Sequence, residues 1–266
     1  MSDPRTHRHA LVTGAGSGIG AAIAIALAEQ GCNLTLAGRS PERLQQQADR
    51  MRAQLPHVSI CIAAMDVSVP ETVQAAVAQA QAQLGPVNIL VNNAGQALSQ
   101  SFVKTDVKLW QQMLDVNLSG TYHCIQAVLP SMLQAASDGT PGRIINIAST
   151  AGLKGYAYVS AYVAAKHGVI GLTKALALEL ASKGVTVNAL CPGYTETDIV
   201  HQAIQNIIHK TGKNEDQARQ ALAARNPQQR LVQPQEVAQS VLWLCAAGSD
   251  AINGQAIAID GGELAG

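Results

Sequence analysis

The chain has 266 residues, 47% of them apolar, which is enough for one substantial core and suits a single α/β domain spanning 1–266 better than two small ones. Lysine plus arginine number 18, as do aspartate plus glutamate, so the summed charge offers no footprint for nucleic acid or an anionic membrane surface. The scattered cysteines (Cys32, Cys61, Cys124, Cys191, Cys245) have neither disulfide-framework nor zinc-ligand spacing, and no apolar stretch has membrane-spanning length, so a cytoplasmic protein with reduced thiols is expected.

Met1 to His9 is polar, lacks the apolar run of a signal peptide, and reads as an exposed arm in which His7 and His9 bind no metal. The apolar run Ala10 to Thr13 then leads into Gly14-Ala-Gly16-Ser17-Gly18-Ile19-Gly20 and an Ala/Ile/Leu pattern from Ala21 to Gln30, which reads as strand, glycine turn and helix. Glycine is needed where backbone must take positive φ or approach a ligand closely, and the N–H groups opening the helix suit a pyrophosphate. The spacing is T-G-x-x-x-G-x-G rather than G-x-G-x-x-G, because position 19 is Ile.

A second strand, Asn33 to Ala37, ends at Gly38-Arg39-Ser40. An acid here would bind a ribose 2′-hydroxyl, whereas an arginine accommodates a 2′-phosphate, so Arg39 favours NADP(H) over NAD(H) unless it is merely solvated or stacks on adenine. Helix Pro41 to Gln54, strand Val58 to Ala63 and helix Pro70 to Leu84 follow. Asp66, beside Val67, reads either as a contact to the adenine edge or as a turn acid. Strand Asn88 to Val91 opens onto Asn92-Asn93-Ala94-Gly95, small and amide residues that permit close approach beneath a cofactor. A long helical pattern from Asp106 to Pro130 contains Asn117, which by itself reads as a satisfied core amide.

Strand Ile144 to Ala148 delivers Ser149 to a carboxyl-terminal strand end, where open α/β sheets bind ligands, and a hydroxyl there can hold a substrate oxygen. In the helix from Tyr158 to Ser182, only Tyr162 among three nearby tyrosines has a lysine, Lys166, four residues on and on the same face. A phenol has a pKa of roughly 10 and becomes a useful base when a nearby cation stabilises the phenolate. Strand Thr186 to Leu190 ends at Cys191-Pro192-Gly193, helix Pro234 to Ala246 follows, and a last strand spans Gln255 to Ile259. Alternating strands and helices predict a doubly wound parallel sheet covered on both faces. Between them, residues 194–225 read as a substrate lid or as a helical hairpin serving an oligomer contact.

The set T-G-A-G-S-G-I-G, N-N-A-G, mid-chain Asn, Ser followed by Y-V-A-A-K, and C-P-G resembles the short-chain dehydrogenase/reductase family over Ala10 to Gly262. The resemblance implies a Rossmann-type sheet of seven parallel strands and a homotetramer assembled through the helix carrying Tyr162. It implies Tyr162 as general acid/base, Lys166 lowering the tyrosine pKa and holding the nicotinamide ribose, Ser149 binding the substrate oxygen, and Asn117 anchoring a water relay. Gly14, Ser17, Gly18, Ile19, Gly20, Arg39, Asp66, Val67, Asn92, Ala94, Gly95, Pro192, Gly193, Thr195 and Thr197 are the implied cofactor residues, with Tyr162 and Lys166.

Within the family, I-A-S-T-A-G and V-Q-P-Q-E-V-A are similar to NADPH-dependent ketoacyl and polyketide reductases, and S-A-Y-V-A-A-K-H-G to 3-hydroxybutyrate dehydrogenases. The carboxylate-binding His and Lys of the latter are replaced by Ala151 and Val159. An uncharged or thioester-linked ketone or secondary alcohol is therefore expected, in an apolar pocket near Leu98, Ala151, Leu153, Val159, Tyr194 and Ile199. The competing expectations are an NAD-linked alcohol dehydrogenase working oxidatively and a dinucleotide-binding sensor without turnover.

Overall fold

The computed structural model describes residues 8–265. Seven parallel strands form one sheet in the order β3-β2-β1-β4-β5-β6-β7. They are β1 (His9–Thr13), β2 (Asn33–Gly38), β3 (Ile60–Ala64), β4 (Val87–Asn92), β5 (Gly142–Ile147), β6 (Val185–Pro192) and β7 (Ala256–Ile259). The inner strands are near-continuous apolar runs because both of their faces are covered, as parallel sheets require. One face packs on α1 (Gly18–Glu29), α2 (Pro41–Gln54) and α9 (Pro234–Cys245), around Ile23, Leu27, Leu44, Met51 and Val241. The other packs on α3 (Pro70–Leu84), α5 (Gly120–Ser137) and α6 (Ser160–Leu180), around Val77, Cys124, Val128, Met132 and Leu180. Strand order reverses between β1 and β4, which opens a crevice at their carboxyl ends.

Three local expectations need correction. His9 is no arm residue: it begins β1, is fully buried, and its Nδ1 and Nε2 each lie 2.8 Å from the Gly85 carbonyl and Thr35 Oγ1 respectively. Burial lowers its pKa, so the neutral ring serves as a polar link at the base of the sheet; His7 lies outside the described residues. Pro130 does not close the mid-chain helix, which runs on to Ser137 because Val128 and Met132 on either side are buried in the core. That helix is also interrupted: α4 (Val107–Leu114) passes through a π-helical turn, Asp115–Ser119, before α5 begins.

Residues beyond β6 form α7 (Asp198–Thr211) and α8 (Glu215–Ala223), which enclose a small core of Val200, Ile204, Ala218, Leu222 and Leu231. A parallel bridge between Thr195 and Val232 closes the base of this excursion. The Glu196 carboxylate ties its two helices together through Arg219 and through His201, 2.7 Å away.

Candidate active site

The glycine turn joins β1 to α1 as the sequence suggests. Gly14 and Gly18 have φ of +66° and +54°, and a Cβ on Gly20 would stand 2.3 Å from the Gly14 carbonyl oxygen. Ser17 caps α1 with no side-chain bond, and no acid lies in the first turn, so the amino terminus keeps its donors and positive dipole for an anion. Thr13 and Asn93, which sequence reasoning passed over, brace the turn. Thr13 Oγ1 accepts the Asn93 and Ala94 N–H groups at 2.9 Å each, and Asn93 Nδ2 donates to the Thr13 and Gly14 carbonyls at 2.9 and 3.3 Å. Their only sequence signal was membership of the T-G and N-N-A-G motifs.

Arg39 is exposed at the end of β2, where the 2′-substituent of a bound adenosine would be read. Asp66 behaves as the turn acid: its Oδ1 accepts the Ser68 N–H and hydroxyl at 2.9 and 2.6 Å. Partial burial pushes its carboxyl up, but these bonds and the Arg39 charge outweigh that and leave it below the ordinary value. Val67 is turned into the core, where a Cβ on Gly120 would come within 2.6 Å of its Cγ2. Asn92 is buried, donates to Asn146 Oδ1 at 2.9 Å and keeps its own Oδ1 unpartnered among the described residues.

Asn117 is buried in the π turn, a local form often found at functional sites. Its Nδ2 donates to the Gln96 and Met113 carbonyls at 3.0 Å each, and its Oδ1 accepts the Gln96 N–H at 3.2 Å. The carboxamide thus shapes the loop after β4, and a Cβ on Gly95 would lie 2.8 Å from Asn117 Oδ1 and 3.7 Å from Lys166 Nζ. Asn117, Gly95 and Lys166 therefore meet from three separate elements.

Ser149 follows β5 in extended backbone, and its Oγ accepts the Ala151 N–H at 3.1 Å. Lys166 is buried, donates Nζ to the Ile147 carbonyl at 2.8 Å and stands 5.6 Å from the centre of the Tyr162 ring. Burial draws the ammonium down to about 8. Burial also pushes the Tyr162 phenol up to about 12, with the Ser149 hydroxyl pulling the other way. Desolvation is the largest influence on both groups, and the Ser149 hydroxyl is the neighbour that favours the phenolate. At neutral pH the phenol keeps its proton and can give it to an oxygen that also accepts from Ser149.

Thr195 and Thr197 cross from β6 towards the glycine turn: Thr197 Cγ2 would be 3.1 Å from a Cβ on Gly18, and a Cβ on Gly193 would lie 3.3 Å from Asp260 Cβ. Pro192 ends β6 and is buried. Leu98, Leu153 and Ile199 are exposed, Val159 and Tyr194 are half-buried, and Ala151 is buried, its amide donating to Ser149 Oγ.

The short-chain dehydrogenase family model matches residues 8–207. The chain belongs to that family. It is 36% identical over 258 residues to a D-beta-hydroxybutyrate dehydrogenase of Rhizobium meliloti, covering 96% of this chain and 98% of that protein. It is 34% identical to a 3-oxoacyl-acyl-carrier-protein reductase of Chlamydia trachomatis, covering 98% of this chain and 99% of the relative. The structure of an actinorhodin polyketide ketoreductase variant with NADPH matches with a TM-score of 0.91 and 37% identity over 99% of both chains.

As a short-chain dehydrogenase, the protein is an NAD(P)-dependent oxidoreductase that exchanges a hydride between the nicotinamide and a ketone or secondary alcohol. The residues present fit the cofactor: the glycines leave a cradle that a single Cβ would fill, the Ser17 side chain makes no cap bond to α1, and among the described residues Asn92 Oδ1 is unpartnered. Among the described residues no helix is long and apolar enough to cross a membrane, and no group of three or more His, Cys, Asp or Glu is placed to hold a metal ion.

Proposed function

We propose that the chain is an NADP(H)-linked reductase of an uncharged or thioester-linked ketone, most plainly a 3-oxoacyl thioester or a hydrophobic ketone. What supports this is the meeting of Ser149, Tyr162 and Lys166 at the strand ends beside Gly95 and the glycine cradle. Gly14, Ser17, Gly18, Ile19, Gly20, Ala94 and Gly95 would take the pyrophosphate and nicotinamide side, and Arg39 the 2′-phosphate. The bound nicotinamide supplies the hydride. Tyr162 gives its proton to the carbonyl oxygen, Ser149 donates a hydrogen bond to the same oxygen, and both act where charge develops. Lys166 keeps its ammonium against the Ile147 carbonyl and within reach of the phenol.

Exposed apolar Leu98, Leu153 and Ile199 support an apolar substrate, and Ala151 and Val159 offer no charge to a carboxylate. We read residues 194–225 as a lid of the single catalytic domain, the assembly as a homotetramer through α6, and the location as cytoplasmic, which suits five buried cysteines. Initial rates followed by nicotinamide absorbance, with NADPH and NADH in parallel and with an acyl thioester against free 3-hydroxybutyrate, test the reading. NADPH and the thioester are expected to be preferred, and Tyr162→Phe to lose turnover by about 10³-fold or more while still binding cofactor. Preference for NADH would remove Arg39 from its role, and efficient use of the free acid would remove the apolar-pocket argument.

A further inference from the structure

Tyr156, given no role by the sequence, stands at the junction of four chain segments. Its hydroxyl is 2.8 Å from Thr150 Oγ1, one residue beyond Ser149, and 2.8 Å from Glu263 Oε1 in the tail after β7. With a carboxylate as one neighbour, the phenol donates to Glu263 and accepts from the Thr150 hydroxyl. Lys154 Nζ lies 3.1 Å from the same Glu263 oxygen, whose side chain is only 5% exposed. From the lid, the Arg225 guanidinium sits 5.2 and 5.7 Å from the ring centres of Tyr156 and Tyr194, and those two rings meet edge to face.

The tail is built to deliver that carboxylate. Asp260 accepts the Gly262 and Leu264 N–H groups at 2.9 and 3.0 Å, turning the chain so that Glu263 points inward. Gly261 has a φ of +64°, and a Cβ there would overlap the Asn226 side chain, so the turn is seated against the residue following Arg225. Glu263 Oε2 would be 3.5 Å from a Cβ on Gly193. A nearly buried carboxylate is expensive unless several donors converge on it, and here they come from the loop that carries Ser149.

We propose that Glu263 is a positioning residue that acts through Tyr156 and Thr150 to hold the Ser149 loop, and with it the substrate oxygen, in register with Tyr162. This rests on the ketone-reductase reading and names the tail as the part of the chain on which its geometry depends. Removal of the carboxylate frees Tyr156, releases Lys154 and loosens residues 150–156, without touching the glycine turn that binds cofactor.

The test compares wild type with Glu263→Ala, Glu263→Gln, Tyr156→Phe and the Ala/Phe double variant, in kcat and KM for a turned-over ketone and in cofactor Kd. Hydrogen exchange of residues 150–156 is measured on the same cofactor-free proteins. Glu263→Ala is expected to lower kcat about tenfold or more with cofactor Kd within about twofold, since small misplacements of a reacting group are costly. Glu263→Gln, which keeps an acceptor for Tyr156, is expected to stay within about threefold of wild type, and the double variant to be no worse than the poorer single one. Exchange should rise in residues 150–156 in Glu263→Ala and in Tyr156→Phe. Unchanged exchange, an unchanged kcat in Glu263→Ala, equal damage from Ala and Gln, or multiplying effects in the double variant would each overturn the proposal. A wild type inert towards every ketone would instead sink the reductase reading, while exchange would still decide whether Glu263 holds the Ser149 loop.

Discussion

Burial of the Lys166 ammonium draws its pKa down to about 8, so at neutral pH the group stays charged in an environment that favours the neutral amine. The folded value lies below the unfolded one, roughly 10.4, so this residue supports folding fully only above the unfolded value and loses that support as pH falls through the folded value. At pH 7 its burial is a net cost, which the proposed role beside Tyr162 would account for. Lys166→Met is therefore expected to stabilise the cofactor-free protein by about 1–3 kcal/mol at pH 7 while removing turnover. Denaturant unfolding of both proteins checks this; a less stable variant would mean that the bond to the Ile147 carbonyl outweighs desolvation. The Tyr162/Lys166 pair was legible because it lies within one helix at a spacing of four. Thr13 with Asn93, and Tyr156 with Glu263, were not, because each pair is joined only by folding across 80 and 107 positions.

At the scale of elements, helix boundaries were readable where local chemistry marks them. Pro41 to Gln54 and Pro70 to Leu84 begin at proline after an extended residue, and the structure has both helices at those limits. The π turn at Asn117 was hidden, because the helical pattern of α4 and α5 continues across it; just beyond it Gly120 packs against Val67. Helix α9 carries a prediction of its own. Its start is a capping box in which Glu236 accepts the Gln233 N–H at 2.7 Å and pairs with Arg230 through two bonds of 2.7 Å. The Arg230 bonds, followed by the Gln233 N–H, hold the Glu236 carboxyl at about 2. A depressed carboxylate contributes stability above its unfolded pKa of roughly 4.3 and loses it as pH falls through the folded value. Glu236→Gln should thus cost about 1 kcal/mol or less at pH 7, since the pair is partly exposed, and the gap should close between roughly pH 4 and pH 2. Thermal unfolding of the two proteins across that range measures it, and a gap independent of pH would assign the effect to the cap alone.

For the whole molecule, alternation of strands and helices was enough to foresee a doubly wound parallel sheet, and β1 and β4 then form the crevice by the handedness of parallel crossovers. The convergence of Arg225, the tail and the Ser149 loop had no such signal, since it depends on where the last strand joins the sheet beside β6. The outer surface holds a further consequence. Helix α6 carries Leu178 at 85% exposure, and α4, packed beside it, carries Val107 at 81%. Single exposed apolar residues are ordinary, but the helix that bears Tyr162 and Lys166 is the one through which we propose tetramer assembly. Covering that helix would also restrain the pair at the heart of the site. Leu178→Glu is expected to shift sedimentation from a tetramer to smaller species, because an uncompensated carboxylate buried at an interface is strongly disfavoured. Turnover per chain should fall with dissociation and recover at high protein concentration. A wild type sedimenting as a monomer, or a variant sedimenting like wild type, would detach α6 from assembly and leave Leu178 as plain solvent-exposed surface.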